Sequence, residues 1–116
     1  MSAVKQSYAV VSIDGREYEI AMTLAVIDQL QDQYGSLQAA LEATQKAEGF
    51  VEVMRCMIND NIDYHNEVYP DDPWEPLSKA ALSRKITARN FYVMQAALFE
   101  AFDLSLPAAD QTPGNR

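Results

Sequence analysis

The chain has one cysteine, one histidine, one tryptophan and only four glycines among its 116 residues. None of its apolar runs approaches the roughly 20 residues that a membrane-spanning helix needs. The lone Cys56 closes no intramolecular disulfide, so nothing points to an oxidising compartment, and its expected place is the core. Four glycines supply no phosphate-cradling loop, and no Gly-x-Ser-x-Gly elbow is present. The opening stretch MSAVKQSYAVVSIDG lacks an apolar segment followed by a small-residue cleavage site. The expectation is a soluble, cytoplasmic protein with no membrane partner.

Positive charge is also scarce, with 9 basic against 17 acidic residues and a net charge of -8. Such a surface repels phosphate backbones at long range, which argues against nucleic acid as a partner. What is abundant is apolar material, 48% of 13.0 kDa, enough for one domain with its own core. That domain is expected over 1–106, with the polar, proline-bearing PAADQTPGNR making 107–116 a flexible tail.

The hydrophobic period changes once along the chain. In YAVVSIDGREYEIAMT, two alternating runs flank Asp14-Gly15, a strong hairpin signal, with Val11, Ile13, Tyr18 and Ile20 facing inward. From Thr23, a plausible N-cap, apolar residues recur at helical spacing: Val26, Ile27, Leu30 and Tyr34, ending at Gly35. Ser36 caps a second helix with Leu37, Ala40, Leu41 and Thr44 on one face, read as ending at Gly49. A longer third helix from about Phe50 carries Val53, Met54, Met57, Ile58 and Ile62 to the neighbourhood of His65. Pro70, Pro73 and Pro76 then exclude continuous helix, and Trp74 is expected to fold back as the loop's anchor. Ser78 caps a short helix through Leu82, and Thr87 caps the last, where Phe91, Met94, Leu98 and Phe102 share a face. The fold class is α+β, mainly α: an N-terminal β-hairpin followed by about five helices in a compact bundle.

The stretch NDNIDYHNEVYPDDPW, from Asn59 to Trp74, concentrates the polar residues and the only histidine. On a helix His65 shares its face with Asn61, Ile62, Val68 and Tyr69, so no carboxylate stands where a two-ligand helical metal site needs one. Cys56 and His65 lie about two and a half turns apart and point to different sides, so they form no nucleophilic pair. Paired acids such as Glu17 with Glu19 read as solvated faces. The expectation is a protein that is not an enzyme, with no cofactor and no metal. The acids of this stretch, followed closely by Lys79, Arg84, Lys85 and Arg89, read as two faces that attract each other locally.

LSKAALSRKITARNFYVMQAALFEAF invites comparison with a helix-turn-helix whose Arg84, Lys85 and Arg89 would touch phosphate. A recognition helix presents polar groups to base edges, whereas this one carries Phe91, Tyr92, Val93, Met94, Leu98, Phe99 and Phe102. A small DNA-binding regulatory protein is the alternative reading.

The order VSIDGREYEIAMTLAVIDQLQDQYGSLQAALEA, a hairpin leading into a helix that ends YGS before a second small helix, resembles the tail assembly chaperones of long-tailed, siphovirus-type phages and prophages. The resemblance extends through a long helix ending near YHNE to a C-terminal helix pair, about Val11 to Leu106. It implies a non-enzymatic chaperone in the bacterial host cytoplasm, not expected in the mature virion. Such a protein binds and solubilises the tape measure protein, helps recruit tail tube subunits and self-associates. An acidic module containing methionine suits an apolar helical client, which it covers while keeping the complex in solution. Trp74, Phe91, Tyr92 and Phe99 are the candidate protein-binding residues. The apolar positions of the last two helices occupy much of their circumference, and two readings stand: all core, or partly an exposed association surface.

Overall fold

The computed structural model describes residues 8–104; the tail expected at 107–116 falls outside them. β1 (Ala9–Ile13) and β2 (Arg16–Ile20) form an antiparallel hairpin in which Val11 faces Tyr18 and Ala9 faces Ile20. Asp14 and Gly15 both take positive φ, 53° and 79°, the conformation that a two-residue turn matched to strand twist requires. One face of the hairpin, Ala9, Val11, Ile13, Tyr18 and Ile20, is buried and the other is solvated.

Five helices follow: α1 (Leu24–Tyr34), α2 (Leu37–Ala43), α3 (Ala47–Val68), α4 (Lys79–Lys85) and α5 (Ala88–Leu104). The fold is α+β and mainly helical. Side-chain caps set the starts. Thr23 Oγ1 accepts from the Val26 N–H, Ser36 Oγ from that of Ala39 and Ser78 Oγ from that of Ala81. At α5 the cap is reciprocal, because the Thr87 N–H donates to Asn90 Oδ1 while the Asn90 N–H reaches Thr87 Oγ1. Gly35, at φ 91°, closes α1 with its N–H on the Gln31 carbonyl.

α3 is the spine. It packs on β2, α1, α2 and α4, while α5 lies along β1. Phe50, Val53, Met54, Met57, Ile58 and Ile62 are all buried on it. Each such side chain contributes about 1.5–3 kcal/mol of burial. Helix propensities differ by only tenths of a kcal/mol, so α3 runs unbroken through the poor helix formers Asn59, Asp60 and Asn61.

Four boundaries differ from expectation. α2 ends at Ala43, with the Thr44 hydroxyl donating to the Leu41 carbonyl (2.6 Å), and α3 starts at Ala47, not near Phe50. Gly49 therefore stops no helix. It sits buried in the first turn of α3, where a Cβ would stand 1.9 Å from the Ala43 carbonyl oxygen, so it is the close approach of α2 that requires a glycine. α3 continues past His65 to Val68, because only Tyr69, immediately before Pro70, must leave the helical region; its φ of -124° and ψ of 67° do so. α4 runs through Lys85 rather than stopping at Leu82.

Candidate functional site

α5 has two unlike sides. Met94, Ala97, Leu98 and Ala101 are buried beside the hairpin. Tyr92 and Phe99, seven residues apart and thus about 20° apart around the helix, point outward and are 73% and 48% exposed. Val93 is 68% exposed beside them. Phe99 and Phe102 also form one wall of a groove of about 600 Å³, whose other wall is Leu37 and Leu41 of α2. The apolar stripe of α5 is therefore part core and part surface.

Phe91 and Trp74 are placed differently. The Phe91 ring is half-buried, tilted against Phe50 at 4.9 Å, and touches Tyr92 edge-on at 5.3 Å. It anchors α5 and presents an edge to the exposed face. Trp74 stacks on His65, with 3.6 Å between ring centres, meets Tyr18 edge-on at 5.7 Å, and has the Arg16 guanidinium 4.3 Å over its ring. Phe91, Tyr92 and Phe99 belong to one helix. Trp74 belongs to a separate cluster around the hairpin and α3, so the structure does not bring the four candidates together.

The loop carrying Trp74 is a strap across α3, fastened by residues that sequence reasoning passed over. Asn66 accepts from the Trp74 N–H (2.8 Å) and donates to its carbonyl (3.0 Å). Three residues further along the strap, Leu77 makes the same pair of bonds with Asn59, at 2.8 and 2.9 Å. Asn61 accepts from the Glu19 N–H of the hairpin (3.0 Å). The His65 Nε2 lies 2.9 Å from the Asp72 carbonyl oxygen. The amides at 59, 61 and 66 are thus fasteners for main chain brought from elsewhere. The available signal was that asparagine is a poor helix former, so three on one helix ask for a reason.

The acidic and basic blocks do not pair with each other as expected. Lys79 holds Glu48 at 2.9 Å and Lys85 holds Asp14, while Asp60 accepts the Thr23 hydroxyl at 2.9 Å and Asp72 lies 3.8 Å from His65. The strap reverses the chain, and α4 packs back on α3 where Lys79 meets Glu48 in its first turn, so neighbours in sequence are separated in space.

Elsewhere the ionisable groups serve packing. Glu52 is buried, and the Arg55 side chain donates from Nε at 3.1 Å, holding the carboxyl below the usual glutamate range despite burial. Burial pushes the Cys56 thiol up to about 11, which keeps it protonated and unreactive near neutrality. Burial likewise raises Tyr34. Among the described residues no three His, Cys, Asp or Glu side chains are placed to hold a metal ion, and no helix is long and apolar enough to cross a membrane. Compared with protein-family models, curated proteins and solved structures, the chain matches none.

Proposed function

We propose that this protein is a tail assembly chaperone of a long-tailed phage or prophage, which covers apolar helical surface of the tape measure protein in the host cytoplasm. In this reading it helps recruit tail tube subunits and carries out no chemistry. The observation that carries the reading is the outer side of α5, where Tyr92, Val93 and Phe99 are exposed and Phe99, with Phe102, faces Leu37 and Leu41 of α2 across a groove, on a chain of net charge -8. An amphipathic client helix is recognised by laying its apolar face into such a groove, with aromatic side chains supplying most of the contact area. The acidic remainder keeps the coated client apart from other copies.

The alternative, a DNA-binding regulator, has less support. Lys79 and Lys85 are already held by acids of the same chain, and the exposed side of α5 presents aromatic and aliphatic groups where base-reading polar groups are needed. Self-association through the same face is compatible with the chaperone reading, since the client and a second copy would compete for it.

Co-expression with the long helical protein encoded beside it tests the proposal. A client that becomes soluble and co-purifies with the chain, and is lost when Tyr92 and Phe99 are replaced by serine, is the expected result. An insoluble client alongside a folded, lone 13.0 kDa protein overturns it.

A further inference from the structure

The exposed stripe of α5 is arranged about its own middle. Tyr92, Val93, Ala96 and Phe99 are exposed, and at 100° per residue they fall within about 120° of the helix circumference, with Ala96 at the centre of that arc. The two ends of the stripe carry opposite charge. Arg89 is exposed seven residues before Ala96 and Asp103 seven residues after it, each about 10.5 Å along the axis, and Glu100 is exposed on the acidic side. Among the described residues Arg89 makes no ion pair, whereas Lys79 and Lys85 are held by Glu48 and Asp14. The groove between α2 and α5 opens at the acidic end. Its charged lining is Glu42 and Asp103, and it holds no base.

A stripe that is positive at one end and negative at the other is complementary to itself when turned end for end. An antiparallel second copy of α5, related by a two-fold axis at Ala96, brings Arg89 of each copy level with Asp103 of the other. The same operation leaves Tyr92 on the groove side and within one residue's rise of Phe99 in the other copy, because both rings lie on the same flank of the arc. A parallel pair would instead set Arg89 against Arg89 and Asp103 against Asp103, and like charges oppose that register. Alanine at the axis suits the arrangement. Its methyl group lets two helices approach to the short end of the usual spacing of about 8–10 Å, with the larger rings to either side of the crossing.

We propose that the chain forms a two-fold dimer by antiparallel packing of α5 on α5 across Ala96, in which Tyr92 of each copy enters the α2–α5 groove of the other and Arg89 meets its acidic end. This inference fixes the register and direction of the contact and does not rest on the chaperone reading. A chain that dimerises in this way and takes no client keeps the inference and loses that reading.

Sedimentation velocity of the full wild-type chain, from micromolar to submillimolar concentration, is the first test. One helix face is a small interface, so a Kd on the order of 10 µM is expected. Cysteine placement then reads the register, since the native Cys56 is buried. Ala96→Cys meets its own copy at the axis and is expected to give a disulfide-linked dimer on mild oxidation. Arg89→Cys stands about 21 Å along the axis from its own copy, beyond the roughly 7 Å between Cα atoms that a disulfide spans, and is expected to stay unlinked. Arg89→Glu should weaken self-association about tenfold, and mixing it with Asp103→Arg should restore it, because each ion pair is then remade with reversed sign. A wild-type chain that is monomeric throughout the concentration range overturns the proposal without any variant. Linking of Arg89→Cys as readily as Ala96→Cys overturns it too, as does a folded Arg89→Glu chain that associates like wild type.

Discussion

Trp74 and Tyr92 are both large aromatic residues outside the central core, yet the molecule treats them in opposite ways. Trp74 lies on an irregular, proline-bearing segment and is engaged on every side available to it: stacked on His65, met by Tyr18, covered by Arg16 and held through its own backbone by Asn66. Tyr92 lies on a regular, 17-residue helix and is 73% exposed, touching only Phe91 among the rings described. Regular secondary structure satisfies its own backbone and leaves side chains at liberty on the outer side. An irregular segment must find partners for its peptide groups elsewhere, and in finding them it ties its side chains down. The strap is therefore a place where the fold has spent specific polar contacts, and the outer side of α5 a place where apolar surface is left exposed.

The sharpest way to expose the two-sidedness of α5 is to truncate its inner side. Leu98→Ala, at a residue with no exposed surface, should cost about 2–5 kcal/mol, read as a fall in the urea midpoint. A cost under 1 kcal/mol would mean that α5 does not pack on the hairpin as described.

At the strap, Asn59→Ala should cost about 1–3 kcal/mol, because both the N–H and the C=O of Leu77 lose their partner. Trp74 emission should shift to longer wavelength in the same variant as the strap loosens. A stability loss without that shift would break the link drawn between backbone clamping and ring placement.

Glu52 supplies a pH test. Its folded value lies below the ordinary 4.5, chiefly through the hydrogen bond from Arg55, so its contribution is fully present above pH 4.5 and is lost as pH falls through the lowered folded value. Glu52→Gln should therefore narrow the gap between stability at pH 6 and at pH 3, measured by urea unfolding across that range. An unchanged gap would remove Glu52 as a source of acid sensitivity.

The smallest effect on stability is expected on the outer side of α5. Tyr92→Ser with Phe99→Ser should change unfolding by about 0.5 kcal/mol or less per site and leave the circular dichroism spectrum intact, while abolishing client or self-association. Collapse of the helical signal would show these rings to be core and erase the contrast with Leu98.

Much of this architecture is written in local pattern. Alternation around Asp14-Gly15 specifies a hairpin and which of its faces is buried, Thr23, Ser36, Ser78 and Thr87 announce helix starts, and the apolar repeat on α3 names its core residues. These follow from sequence because hydrogen bonding and side-chain period act over a few residues. Three decisions belonged to the tertiary structure alone. Gly49 reads locally as a helix stop and is instead the space into which the Ala43 carbonyl fits. The acids at 60–75 and the bases at 79–89 are adjacent in sequence, yet Lys79 and Lys85 find Glu48 and Asp14, since the strap turns the chain back along α3. The asparagines of α3 look like decoration until the main chain they clasp arrives from residues 19, 74 and 77. Each depends on segments distant in sequence meeting at a fixed spacing, and only the packed chain sets that spacing.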